Sequence, residues 1–352
     1  MAMLAGTADF VVGVDTHRDT HAIAVVDPTG TVAWRETVTT RPQALAVMIA
    51  RVQQRAPGRR IWAIEQTGSY GAGLAVLLAD AGEHVAEIDR PARPARRNGA
   101  KTDDLDAVRA AREALSREHL AAPRARGERE ALRALMTART GAVHARRQAL
   151  CQLKALVVCV PAELREDLRN LTTMALVRRC AGLRSLPRHG AERRAAVIAL
   201  RSTAQRILFL TAQAGDLETE IGVLVAAMAP RLTEQPGVGV LVAAQILISW
   251  SHPGRIRSEA AFAALAGTAP IPASSGQTQR HRLSRSGDRQ LNRALHNIVI
   301  VRSKTDPATS AYLARRLAEG RTRREAQRCL KRAIARQLYR LLERGGHLTP
   351  AP

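Results

Sequence analysis

Four carboxylates in the first third of the chain have the types and spacing for metal-assisted chemistry at phosphorus. Asp15 closes the apolar run Phe10-Val11-Val12-Gly13-Val14, and Glu65 closes Ile61-Trp62-Ala63-Ile64. Asp103 and Asp106 lie three apart in Lys101-Thr102-Asp103-Asp104-Leu105-Asp106-Ala107, where helical spacing begins. Residues three apart share a helix face. Acids at strand ends, joined to such a pair, make an oxygen-ligand site for two Mg²⁺ ions. Two ions about 4 Å apart activate a nucleophile and stabilise the leaving oxygen during in-line displacement. Asp104 points roughly 100° away from Asp103 and is left out of the site. Taken singly, each acid has a plainer reading: a strand-end Asp forms turns, and acids opening a helix complement its dipole. Their conjunction in an otherwise basic chain suggests metal-dependent cutting or joining of nucleic acid. His17 and His21 follow Asp15 closely, but Mg²⁺ prefers oxygen. A hydrogen bond to a carboxylate or phosphate, or a structural role, suits them better.

Ser275 is a second chemical candidate. It stands between Ser274 and Gly276, ahead of Arg280, His281, Arg282 and Arg285. A serine hydroxyl is a weak nucleophile until its proton is removed, and nearby arginines would stabilise a charged transition state. On the residues alone, a Ser-Ser-Gly loop is more often only a loop.

These groups need a scaffold, and the patterning supplies one. Strands are expected at Phe10–Val14, His21–Val26 and Thr31–Thr39, with Asp27-Pro28-Thr29-Gly30 as a turn. Helical spacing covers Arg41–Gln54, Gly71–Ala81 and Asp103–Leu115, with strands at Arg59–Glu65 and His84–Ile88 between. The order β-β-β-α-β-α-β-α is an α/β layer domain over residues 9–120. Pro91–Asn98, carrying Arg96 and Arg97, reads as a basic linker or a strand-backbone clamp. Residues 128–228 carry two long amphipathic helices around a shorter, broken one, a coiled-coil-like arrangement suited to oligomerisation or to packing on its own domain. Residues 232–345 form a mostly helical C-terminal domain. It opens on Pro236-Gly237-Val238-Gly239, which resembles a helix-hairpin-helix turn whose amides, at Gly237 and Gly239, could meet a phosphate. A plain helix–helix turn is equally compatible.

The 352 residues carry 54 Lys and Arg against 31 Asp and Glu, a net charge of +23. That excess is an electrostatic footprint for polyanions. From Arg280 to Arg344 there are 18 Lys and Arg against 5 Asp and Glu. That segment is therefore expected to be a nucleic-acid surface, with Arg280, Arg282, Arg285 and Arg289 on it. The four cysteines show no zinc-ligand spacing, which suits buried thiols in a reducing compartment. No signal peptide or membrane span is expected, and the chain reads as cytoplasmic.

Read together, these blocks resemble the DEDD insertion-sequence transposases of the IS110 family, relatives of the pilin-gene-inverting recombinases. The resemblance rests on Gly13–His21, Glu65–Gly71, Lys101–Ala107, Pro236–Gly239, Ala266–Pro270, Ser274–Gly276 and Ser286–Arg289, in family order along nearly the whole chain. It implies a ribonuclease-H-like, RuvC-like N-terminal domain with Asp15, Glu65, Asp103 and Asp106 as its metal-binding tetrad. It also implies a nucleophilic serine in the C-terminal domain, mapping best to Ser275 with Ser274 as neighbour, and a phosphoserine link to DNA. Element-end and target DNA, a noncoding bridge RNA and a homotetramer follow as implied partners. Two other readings stand beside it: a water-using RuvC-like junction resolvase, and a non-catalytic basic nucleic-acid-binding protein.

Overall fold

The sheet forms where apolar runs meet chemically specified reversals. Asp27 makes one of them: its Oδ1 accepts hydrogen bonds from the Thr29 and Thr31 amides at 2.9 and 3.0 Å. In this computed structural model, residues 6–65, 67–88, 103–273, 281–282, 284 and 286–344 are described. They divide into two compact units, Met1–Ala125 with Gly254–Ile256, and Arg126–Pro253 with Arg257–Pro352.

The first unit is α/β. Its elements are β1 (Phe10–Thr16), β2 (Thr20–Val26), β3 (Val32–Thr39), α1 (Pro42–Arg55), β4 (Arg60–Glu65), α2 (Ala72–Asp80), β5 (His84–Ile88) and α3 (Asp103–Leu115). The sheet order is β3-β2-β1-β4-β5. β1 is antiparallel to β2 and parallel to β4, so the strand direction changes at β1. Side chains alternate between faces, and each face has its own core. Val12, Val14, Trp62 and Ile64 pack with Leu45, Met48, Leu74 and Leu78 of α1 and α2. Val11, Ile61 and Ala63 pack with Ala110, Ala111 and Ala114 of α3 on the other side. The expected element order is present throughout this unit.

The second unit is helical apart from one short strand pair. α4 (Glu128–Cys159) and α7 (Ala191–Met228) lie antiparallel, with α5 (Ala162–Arg169) and α6 (Thr173–Ala181) between them in sequence. Ala149, Leu153 and Val157 of α4 meet Val197, Leu200, Ala204 and Ile207 of α7, a spacing of threes and fours that seams two helices together. Arg139 reaches Glu218 across the pair at 2.7 Å. By length and composition α7 is long and apolar enough to cross a membrane, which for a single helix is weak evidence of a span; its charged residues, Arg201, Arg206, Asp216, Glu218 and Glu220 among them, interrupt any long uncharged run.

The chain continues through α8 (Pro230–Thr233), α9 (Val240–Trp250), α10 (Glu259–Leu265), β6 (Ile271–Pro272), β7 (His281–Arg282), α11 (Arg289–Thr305), α12 (Pro307–Ala318) and α13 (Arg323–Arg344). Polar ties fix this part. Arg129, 2% exposed, donates through Nε and Nη2 to the Ile248 carbonyl, both at 3.1 Å. Asp288 caps α11, and Ser249 Oγ donates to it at 2.6 Å.

Candidate functional site

The site begins at a glycine. A Cβ on Gly13 would collide with the Ala107 carbonyl oxygen and lie 2.6 Å from the Ala111 amide nitrogen. The α3 backbone therefore rests directly on β1. Asp15 lies two residues on, so it shares Gly13's face of the sheet. Asp103 and Asp106 open α3 one turn before that contact, so the first turn of the helix comes down over the end of β1. Val14 pairs with Ile64 in parallel register, which sets Glu65 beside Asp15 at the strand ends, on the same face. The Thr16 hydroxyl donates to the Glu65 carbonyl at 3.3 Å and ties the two ends together.

Asp15, Asp103 and His17 offer ligand atoms that all lie within 4.8 Å of one another. His17 Nε2 stands 3.2 Å from Asp15 Oδ2 and 3.3 Å from Asp103 Oδ1. Burial raises the Asp15 carboxyl above its ordinary value; His17 opposes the rise, and the charges of Asp106 and Asp103 add to it. Asp106 is also held by Arg109 at 2.7 Å. Crowded carboxylates of this kind are stabilised by a cation. The donors are carboxylate oxygens with one imidazole nitrogen at the edge, a set that fits a hard divalent ion. The hydrogen bond from His17 to a carboxylate is present, and the histidine bridges two of them.

A second polar node lies behind β5. Glu87 takes Arg124 at 3.3 Å, Arg255 at 3.2 Å and the Thr67 hydroxyl at 2.8 Å. It holds the segment that leaves β4, and sequence reading missed it. An isolated Glu in a short strand gives no signal until its arginines, 37 and 168 residues on, are folded against it.

In the second unit, Arg282 is exposed on β7 and Arg289 is exposed at the first position of α11. Gly237 takes a φ of 75° in the turn before α9 and packs against Ile298 and Arg302 of α11. Arg302 Nε donates to the Pro236 carbonyl at 2.6 Å. Gly239 is exposed at the N-cap of α9. Arg96, Arg97, Ser274, Ser275, Arg280 and Arg285 lie outside the described residues.

Comparison with known proteins points the same way from both halves of the chain. Residues 12–160 match a family model described as a transposase, of the DEDD type of IS110. Residues 229–314 match a model described as a transposase of the IS116/IS110/IS902 family. The chain is 33% identical to the insertion element IS110 uncharacterized 43.6 kDa protein of Streptomyces coelicolor, over 42% of this chain and 37% of that relative's length. It is 26% identical to the insertion element IS900 uncharacterized 42 kDa protein of Mycobacterium paratuberculosis, over 94% of each.

Proposed function

The chain belongs to the IS116/IS110/IS902 family of transposases, and on that footing we propose that it is the recombinase of an insertion element, cutting and rejoining DNA through a serine-linked intermediate. The observation that carries the proposal is the approach of Asp15 and Asp103 through His17, in a chain of net charge +23. The first unit is read as a RuvC-like domain over residues 9–120. Residues 128–228 are read as an oligomerising helical pair. Residues 232–345 are read as the serine-bearing C-terminal domain.

Bound by Asp15, Glu65, Asp103 and Asp106, Mg²⁺ would supply Lewis acidity for phosphoryl transfer. The chain's own groups do the rest. His17 holds Asp15 and Asp103 at a fixed separation. Ser275 Oγ gives up its proton and bonds to phosphorus while the strand's bridging oxygen leaves and takes up a proton. Arg282, with Arg280 and Arg285, neutralises charge on the phosphoryl oxygens. Attack by a deoxyribose hydroxyl on the phosphoserine then reseals a strand and frees the serine. Arg96 and Arg97 serve the strand backbone, as do Arg289 and the amides at Gly237 and Gly239. The basic excess leaves room for a guide: a noncoding bridge RNA whose pairing reads element-end and target DNA while the protein holds backbones. Exposed Ile198, Phe209 and Val223 on α7 support assembly into a homo-oligomer, read as a tetramer.

A water-using nuclease is the second reading, because the acidic cluster is built within the first unit and needs no serine. The test is to incubate the protein with element-end DNA, flanking RNA and Mg²⁺, then look for a protein–DNA adduct that survives denaturing electrophoresis. The proposal expects an adduct that Ser275→Ala abolishes. An adduct lost only in Ser274→Ala would move the nucleophile. Mg²⁺-dependent nicking without any adduct would establish the nuclease reading instead.

A further inference from the structure

The second unit holds a cavity of about 360 Å³ between the Gly267–Pro270 turn, β7, α12 and α13. Glu325, Arg328, Cys329 and Arg332 line it at i, i+3, i+4 and i+7, one face of α13. Six Lys and Arg side chains surround it against one carboxylate, Glu325. Glu325 is already engaged by the Thr322 amide and hydroxyl at 2.9 and 2.8 Å.

Two of these cations, Lys331 and Arg328, meet only neutral acceptors among the described residues. Lys331 is half-buried and donates to a neutral amide oxygen, Asn292 Oδ1, at 3.1 Å. Burial, with the charge of Arg328 adding, holds its pKa below the ordinary lysine value. Arg328 reaches only a carbonyl, that of His281, at 3.4 Å among the described residues. Arg332 and Arg316 are ion-paired outside the cavity, with Glu259 at 3.6 Å and Glu319 at 2.6 Å, but Arg332 Nη1 and Arg316 Nε are buried with no hydrogen-bond partner among the described residues. Half-buried cations beside a like charge and a neutral amide are costly until an anion joins them. Ala269 and Pro270 add an uncharged wall. The volume lies at the small end of ligand pockets, on the scale of one nucleotide.

His281 and Arg282, which line the cavity, pair with Pro272 and Ile271 in the β6–β7 ladder.

We propose that this cavity takes one unstacked nucleotide of the DNA strand being exchanged, its phosphate on Arg328 and Lys331 and its base against Ala269 and Pro270. The choice of strand rests on the reading of Ser275 as nucleophile. Enzymes that do chemistry on a base show that one nucleotide can be drawn out of the stack into a pocket for a few kcal/mol. Here it would fix the backbone beside the attacked phosphorus.

The test uses the full chain and a fluorescent five-nucleotide oligothymidylate, read by anisotropy at several salt concentrations. Wild type should bind it about tenfold tighter than the same strand with its central base removed, a factor typical of burying one base. Arg328→Gln with Lys331→Met should weaken binding and shallow the salt slope by about 1.4, two phosphate contacts at about 0.7 each for a single strand. Ala269→Phe should erase the preference over the abasic strand while keeping the slope; it also serves if the double variant fails to fold. Bound oligothymidylate should slow alkylation of Cys329, which is exposed and lines the cavity. Equal affinity for intact and abasic strands would overturn the base pocket. An unchanged slope in the double variant would overturn the phosphate site, and tighter binding of oligouridylate would overturn the DNA assignment. The adduct is read on element-end DNA and the cavity on oligothymidylate, so an adduct missing from wild type and a cavity that does not bind are separate failures.

Discussion

Gly13 and Ala107 are in backbone contact across the β1–α3 interface, with no room for a side chain between them. The contact sets how far the Asp103 turn stands from Asp15. Gly13→Ala should therefore push α3 outward. Overpacking of this kind costs about 1–3 kcal/mol, and the variant should lose divalent-ion binding as well. Gly141, exposed within α4, meets nothing within 4 Å. Gly141→Ala should stabilise by about 0.5–1 kcal/mol, because alanine restricts the unfolded chain and suits a helix. Denaturant melts of the two variants check the contrast; a neutral Gly13→Ala would show that α3 is not seated as described.

Asp15→Asn and Asp103→Asn remove charge from a crowded cluster. Melting temperature without metal should hold or rise, since burial and the charges of Asp106 and Asp103 already disfavour ionised Asp15. The rise in melting temperature produced by Mg²⁺ or Mn²⁺ should shrink or vanish. Loss of an outer partner of a metal ligand costs about 10–100-fold in affinity, and loss of a ligand should cost at least that. Undiminished stabilisation by metal would place the ion elsewhere.

His21 is 1% exposed, and its Nδ1 has no hydrogen-bond partner among the described residues. Burial lowers its pKa below the ordinary histidine value. The unfolded chain takes up a proton at about pH 6.5 while the folded chain still excludes it. The group's contribution is thus whole above that pH and is lost as pH falls toward the depressed folded value. Wild type should unfold at lower denaturant at pH 5.5 than at pH 7.5, and His21→Gln should narrow that gap. An equal gap in both would assign the pH dependence to other groups.

The four thiols should separate into two classes. Cys180 is fully buried, and burial pushes it up to about 11. Cys151, Cys159 and Cys329 are exposed, which corrects the expectation of buried thiols for all but Cys180. Because the thiolate is the reacting form, a chromogenic disulfide reagent at pH 8 should count three thiols in the native protein and four in denaturant. Four native thiols would mean that α6 does not stay packed against α7.

The sheet was legible because its strands are short apolar runs bounded by turn residues, as at Asp27–Gly30. α3 was legible because its acids and alanines recur with helical spacing. Sequence places His17 near Asp15 and leaves open which carboxylate or phosphate, if either, it meets. Its contact with Asp103 spans 86 residues and exists only because Gly13 lets the helix down onto the strand. On α4, Arg139 is spent on Glu218 and Arg133 on Glu130. Arg129, two residues into the helix, is buried on the Ile248 carbonyl. A carbonyl acceptor carries no side-chain signature, so sequence cannot announce it. The place of Gly254–Ile256 in the first unit was invisible for a related reason: Arg255 answers to Glu87, and only the fold pairs them.

The alanine face of α3, with Ala107, Ala110, Ala111 and Ala114 at 1% exposure or less, has a consequence for how such genes decay. An element can fall silent while every acid and serine remains in its reading frame. One added methyl at Gly13, or a branched residue at Ala111, would spoil the spacing and leave the motifs untouched. Surveys that sort living copies from dead ones by their reactive residues would count such a copy as living. The small residues behind the site are where its loss would first be written.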